Sequence, residues 1–161
     1  MNLVIANPQR TKKINTRRLK QVAAELFTEL QITEAELGIR LVGTKEMARI
    51  NRQFLQHEGS TDVITFDHTE KRKAGSKKRK KLHGELFICV DEAIKQAKKF
   101  NTHWQAEVVR YVVHGILHLS GYDDLKPELR RRMKREENRL VRHLESRFTL
   151  AQLSRTAKMP T

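Results

Sequence analysis

Cysteine is almost absent from this sequence: Cys89 is the only one in 161 residues. No internal disulfide can form and no cysteine-rich metal site can be built, so any bound metal must rest on His, Asp or Glu. Long apolar runs are missing too. Nothing approaches the roughly 20 consecutive apolar residues of a membrane span. The opening stretch MNLVIANPQR is too short and too polar for the apolar segment of a signal peptide. Together these absences predict a cytoplasmic protein with no membrane partner. Acidic residues are also in deficit, 19 against 33 lysines and arginines, which leaves a net charge of +14.

What is present fits one domain with a sizeable core and a heavily charged surface. Hydrophobic residues make up 38% and charged residues 32%, the balance of a soluble globular chain. Such an excess of positive charge points to a polyanionic partner, nucleic acid foremost. It is unevenly spread. Lys71 to Lys81 reads KRKAGSKKRKK, eight basic residues with no acid, and the pattern predicts a basic loop over 68–82.

Hydrophobic periodicity predicts the order β-α-β-α-β-β-α-α-α, an α+β fold in which a mixed sheet of about four strands is covered by about five helices. The strands are expected at 3–6, 37–42, 62–66 and 86–90. The helices are expected at 16–30, 45–55 (capped by Thr44), 91–100, 103–119 and 127–148. Thr102 and Gln105 suit a capping box for the fourth helix. That helix is apolar on nearly every side, from Trp104 to Leu119, which places it at the centre of the domain. Gly121 ends it and Pro127 opens the last one. Residues 1–148 are expected to form the single domain, with 149–161 a flexible tail.

The chemistry gathers in Tyr111 to Pro127, YVVHGILHLSGYDDLKP. His114 and His118 are four residues apart, so a helix stacks both imidazoles on one face, at a spacing that a metal ion can bridge. Gly121 then breaks the helix, and a carboxylate from Asp123-Asp124 can complete three ligands, leaving a fourth position for water. Asp123 and Asp124 are rivals for that place, and the one left over would brace the ligands from behind. One divalent ion, zinc by its taste for such donors, is the expected cofactor.

The run HGILHLSGYDD resembles the signature His-Gly-x-Leu-His-Leu-x-Gly-Tyr-Asp-His of the YbeY family of metal-dependent endoribonucleases, agreeing at ten of eleven positions. Ser60 to Phe66 resembles the family's Pro-Thr-Asp-Val-Leu-Ser-Phe, Gly84 to Cys89 its Gly-Asp-Ile strand, and Met133 and Glu136 fit its last helix. The resemblance implies a metal held in a cleft by His114, His118 and Asp124, a metal-bound water as nucleophile source, and single-stranded RNA as substrate. It also implies a place in ribosomal RNA processing and ribosome maturation, with ribosomal RNA and ribosomal proteins as partners. Two positions depart from the pattern. The family's usual third histidine is Asp124 here, which still ligates zinc but brings a negative charge. A less positive centre acidifies bound water less. The arginine common at position 55, thought to handle phosphate, is Leu55; Arg52, one turn back, is the expected substitute, the alternative being that Leu55 marks lost activity.

Gly115 stands where the metalloprotease pattern His-Glu-x-x-His carries its general base, which argues against peptide hydrolysis. Lys71, Arg72, Lys73, Lys77, Lys78, Arg79, Lys80 and Lys81 are the expected RNA-binding residues. About five phosphate contacts with single-stranded RNA would give a salt slope of about −3.5. Trp104, Tyr111 and Cys89 are read as core residues, and His57, His68, His83, His103 and His143 as surface residues. A second reading stands beside the nuclease: a non-catalytic, metal-stabilised module that docks on RNA or the ribosome.

Overall fold

The structure is a computed structural model that describes residues 1–69 and 81–154. Its elements are β1 (Asn2–Ala6), α1 (Thr16–Glu29), β2 (Glu34–Val42), α2 (Thr44–Leu55), β3 (Val63–Asp67), β4 (Lys81–Cys89), α3 (Val90–Phe100), α4 (Trp104–Leu119) and α5 (Pro127–Arg147), followed by a short 3-10 helix, Leu150–Ser154. This is the expected order, and the fold is α+β. The strands lie in the order β1-β2-β4-β3, the first three parallel and β3 antiparallel to β4.

Period-two alternation puts Leu37, Ile39 and Leu41 of β2 and Leu82, Leu86 and Ile88 of β4 on one buried face. There they meet α1 and α4 in the main core. On the opposite face α2 covers a smaller cluster of Val42, Met47, Ile50, Ile64 and Cys89. The apolar side chains of α4 from Val108 to Leu119 are all buried, so the helix occupies the central position its sequence demands. Gly115 makes its closest approach possible. A Cβ there would lie 2.6 Å from Cδ2 of Leu86, itself fully buried, so α4 rests directly on β4.

Several local expectations are corrected, some of them by contacts distant in sequence. Thr44 is the first residue of α2 rather than its cap; its backbone N–H and hydroxyl both donate to Asp91, 47 residues on. Thr102 and Gln105 form no capping box. His103 is the N-cap of α4, and the Thr102 hydroxyl donates to Glu107. Strand β4 begins at Lys81, so the C-terminal end of the expected 68–82 loop is sheet. The expected tail starts with packed chain: Leu153 is buried, and its carbonyl accepts from the N–H of Asn15, the residue whose side chain caps α1. The remainder of the tail, 155–161, lies outside the described residues.

Candidate metal centre

Helix α4 ends by a local device that aims the chain back at its own face. Ser120 is the C-cap and Gly121 takes φ +104°, a left-handed conformation open to glycine at little cost. The N–H of Gly121 donates to the His118 carbonyl and that of Tyr122 to the Leu117 carbonyl, the paired bonds of a Schellman ending. The returning chain is then fixed twice. Asp123 accepts from the Leu125 N–H, and the Arg130 guanidinium donates to the Asp124 carbonyl. Asp123 is therefore spent on the turn, and Asp124 is the carboxylate delivered to the histidines.

His114 Nε2 and His118 Nε2 lie 3.2 Å apart, and Asp124 Oδ2 is 4.0 Å from the first and 3.5 Å from the second. A tetrahedral ion with bonds near 2.0–2.1 Å would separate its ligands by about 3.3 Å. The three donors thus already stand close to the edges of such a tetrahedron. Among the described residues, this is the one such group of three or more His, Cys, Asp or Glu donors.

The tautomer of His114 can be derived. Its Nδ1 lies 2.8 Å from Glu137, a carboxylate that is only 4% exposed. Burial alone would raise that carboxyl. Hydrogen bonds from His114, Lys134 and Arg110 overturn the effect and hold it at about 2. Glu137 is therefore a permanent acceptor, Nδ1 is the donor, and the Nε2 lone pair faces His118. Burial, reinforced by the neighbouring His114, also pushes the His118 imidazole below its ordinary value, against the opposing pull of Asp124 and the Tyr122 backbone. Two Nε2 atoms 3.2 Å apart stand at ordinary N–H···N hydrogen-bond distance, and a divalent ion would take the place of the proton between them. The donor set fits a borderline-soft divalent ion.

Beside the triad a cavity of about 340 Å³ opens along α4, with His114 and Asp124 in its lining. Helix α4 supplies its floor through Glu107, Arg110 and Tyr111; α3 and α5 supply walls. Arg52 is exposed on the last turn of α2 and is absent from that lining. Leu55 is 41% exposed. Lys81 pairs with Glu34 at 3.1 Å at the start of β4, both side chains two-thirds exposed; such a pair adds little stability. Lys71, Arg72, Lys73, Lys77, Lys78, Arg79 and Lys80 lie outside the described residues. The other histidines are away from the triad: His57 and His103 are exposed, His68 and His83 stand by Glu85 and Glu36, and His143 is held by Glu25 and Glu29.

Sequence reading missed Glu137. The signal was there: it falls on the apolar stripe Met133, Leu140, Val141, Leu144 of α5, where an acid needs a buried partner. Its depressed pKa carries a stability prediction. A carboxyl lower in the folded than in the unfolded chain stabilises the fold above the ordinary carboxylate range. That contribution is lost as pH falls towards the folded value. Metal-free protein is expected to lose on the order of 3 kcal/mol between about pH 5 and 2 through this one group. Denaturant melts across that range should show a flatter acid limb for Glu137→Gln.

By fold and donor set this is an α+β protein with a His-His-Asp group that could hold a metal ion, set beside a cavity. The chain belongs to the YbeY family: the family profile described as Endoribonuclease YbeY matches residues 4–145. Among relatives, the Endoribonuclease YbeY of Chlorobium luteolum is 38% identical over 109 residues, covering 68% of this chain and 74% of its own. That of Chlorobium phaeovibrioides is 34% identical over 137 residues, covering 81% and 87%. The solution structure of TM1509 from Thermotoga maritima shares the fold, with a TM-score of 0.66, 21% identity and full coverage of both chains. No helix among the described residues is long and apolar enough to cross a membrane.

Proposed function

We propose that this protein is a metal-dependent endoribonuclease that cuts single-stranded RNA, with ribosomal RNA as its substrate class and ribosome maturation in the cytoplasm as its setting. The observation that carries the reading is the convergence of His114, His118 and Asp124 at the mouth of an open cavity. The names of the relatives in the family support RNA as the substrate. Zinc is the proposed ion, because two imidazoles and one carboxylate form a donor set that structural chemistry pairs with it.

When bound, such an ion supplies Lewis acidity towards a phosphoryl oxygen and a more acidic water. The chain does the rest. Glu137 fixes the His114 ring through Nδ1 and leaves its Nε2 lone pair available to hold such an ion. The Gly121 turn presents Asp124, whose charge moderates the centre. Gly115 offers no general base, so the site is unsuited to peptide hydrolysis. The run from Lys71 to Lys80 is proposed to add affinity through phosphate contacts without reading sequence.

The test is a chelation series. Metal-replete protein should carry one divalent ion per chain and cleave single-stranded RNA in preference to duplex. Activity should vanish on chelation and return with zinc. Cleavage indifferent to chelation, or absent at full occupancy, sinks the nuclease reading. RNA binding that persists without any cleavage would favour the alternative, a metal-stabilised docking module, which is in keeping with an exposed Leu55 and an Arg52 outside the cavity lining.

A further inference from the structure

The cavity beside the triad has two unlike walls. From α5 come Arg130 and Lys134, one helical turn apart and both exposed at its edge. From α3 come Gln96 and Phe100, whose ring is 61% exposed at the helix end, with the Lys99 ammonium 5.4 Å above it. An exposed phenyl ring at the rim of a polar cavity is costly to leave in water and is the kind of surface on which a base stacks. The charge arrangement is equally lopsided. Glu137 offers one negative charge to Arg110 and Lys134 together, so a positive charge is left over on that side even before Arg130 is added. The other acids of the lining are Asp62, Glu107 on the α4 floor and Asp124 of the triad, so the α5 side is where a phosphate meets the least repulsion.

We propose that this cavity is a nucleotide subsite, in which Arg130 and Lys134 receive the phosphate next to the one at the triad while Phe100 stacks the attached base. The cavity floor follows one face of α4, since its lining residues Glu107, Arg110 and His114 recur at steps of three and four, with His118 one turn beyond them. A single strand entering at His118 therefore runs along that helix towards its N-terminus, backbone to the α5 side and base to the α3 side. Arg130 would then do the work expected of the missing arginine at position 55, from a different element. A volume of about 340 Å³ is enough to admit one nucleotide. The inference rests on the nuclease reading above.

The experiment compares wild type, Phe100→Ala, Phe100→Tyr, Arg130→Gln and Arg130→Lys in binding and cleavage of a short single-stranded RNA at several salt concentrations. Phe100→Ala should weaken binding about tenfold, raising KM while kcat at saturation stays near wild type. Phe100→Tyr should restore binding. Arg130→Gln should reduce the salt slope by about 0.7, and Arg130→Lys should restore it, a rescue that a mere brace on the Asp124 carbonyl does not require. If wild type cleaves and all four variants match it in KM and salt slope, the subsite is wrong and the nuclease stands. If wild type neither binds nor cleaves, both fall.

Discussion

His118→Ala is expected to cut RNA cleavage by about a thousandfold or more, a loss of about 4 kcal/mol of transition-state stabilisation. The reason is geometric. His118 stands 3.2 Å from one donor and 3.5 Å from the other, so its removal leaves two ligands where three are needed to hold an ion with an open position. His118 is three-quarters buried, in a helix that is otherwise packed by aliphatic side chains, and alanine is a good helix former. The variant should therefore fold, with unchanged far-ultraviolet circular dichroism and no stoichiometric metal. Equal cleavage by variant and wild type would show that the activity belongs to a contaminant or to another site.

Glu137→Ala should produce the second large effect, without touching any ligand directly. The carboxylate accepts from His114 at 2.8 Å, Arg110 at 2.7 Å and Lys134 at 2.8 Å. Removing it frees the His114 ring to rotate or change tautomer, and metal affinity is expected to fall by about 10- to 100-fold. It also strips Arg110 and Lys134 of their shared anion; both cations reach solvent, so the cost at neutral pH is on the order of 1–3 kcal/mol. Metal titration by calorimetry and a denaturant melt on the metal-free form read the two effects separately. An unchanged dissociation constant would mean that the His114 ring is held by something other than this bond.

Much of this centre is legible in the sequence because it is local. His114 and His118 are one turn apart, Gly121 ends the helix, and Asp124 follows after three residues, so periodicity and turn chemistry suffice to bring them together. The element order is legible for the same reason: each strand and helix carries its own pattern. What stays hidden depends on chain segments far apart. Glu137 reaches His114 across 23 residues, Asp91 takes the α2 terminus across 47, and His143 finds Glu25 across 118. The cavity is invisible for the same cause, since α3 and α5 meet it only after folding. Leu153 looked like tail because its neighbours are polar; its burial depends on a groove made by the distant α1 and α4.

The donor atoms themselves have a consequence for which ions the site tolerates. A calcium ion wants six to eight oxygen atoms at about 2.3–2.6 Å, whereas two of the three donors gathered by His114, His118 and Asp124 are nitrogen. Discrimination against hard, oxygen-seeking cations is thus written into the end of α4, which Gly115 lets settle directly onto Leu86 of the sheet.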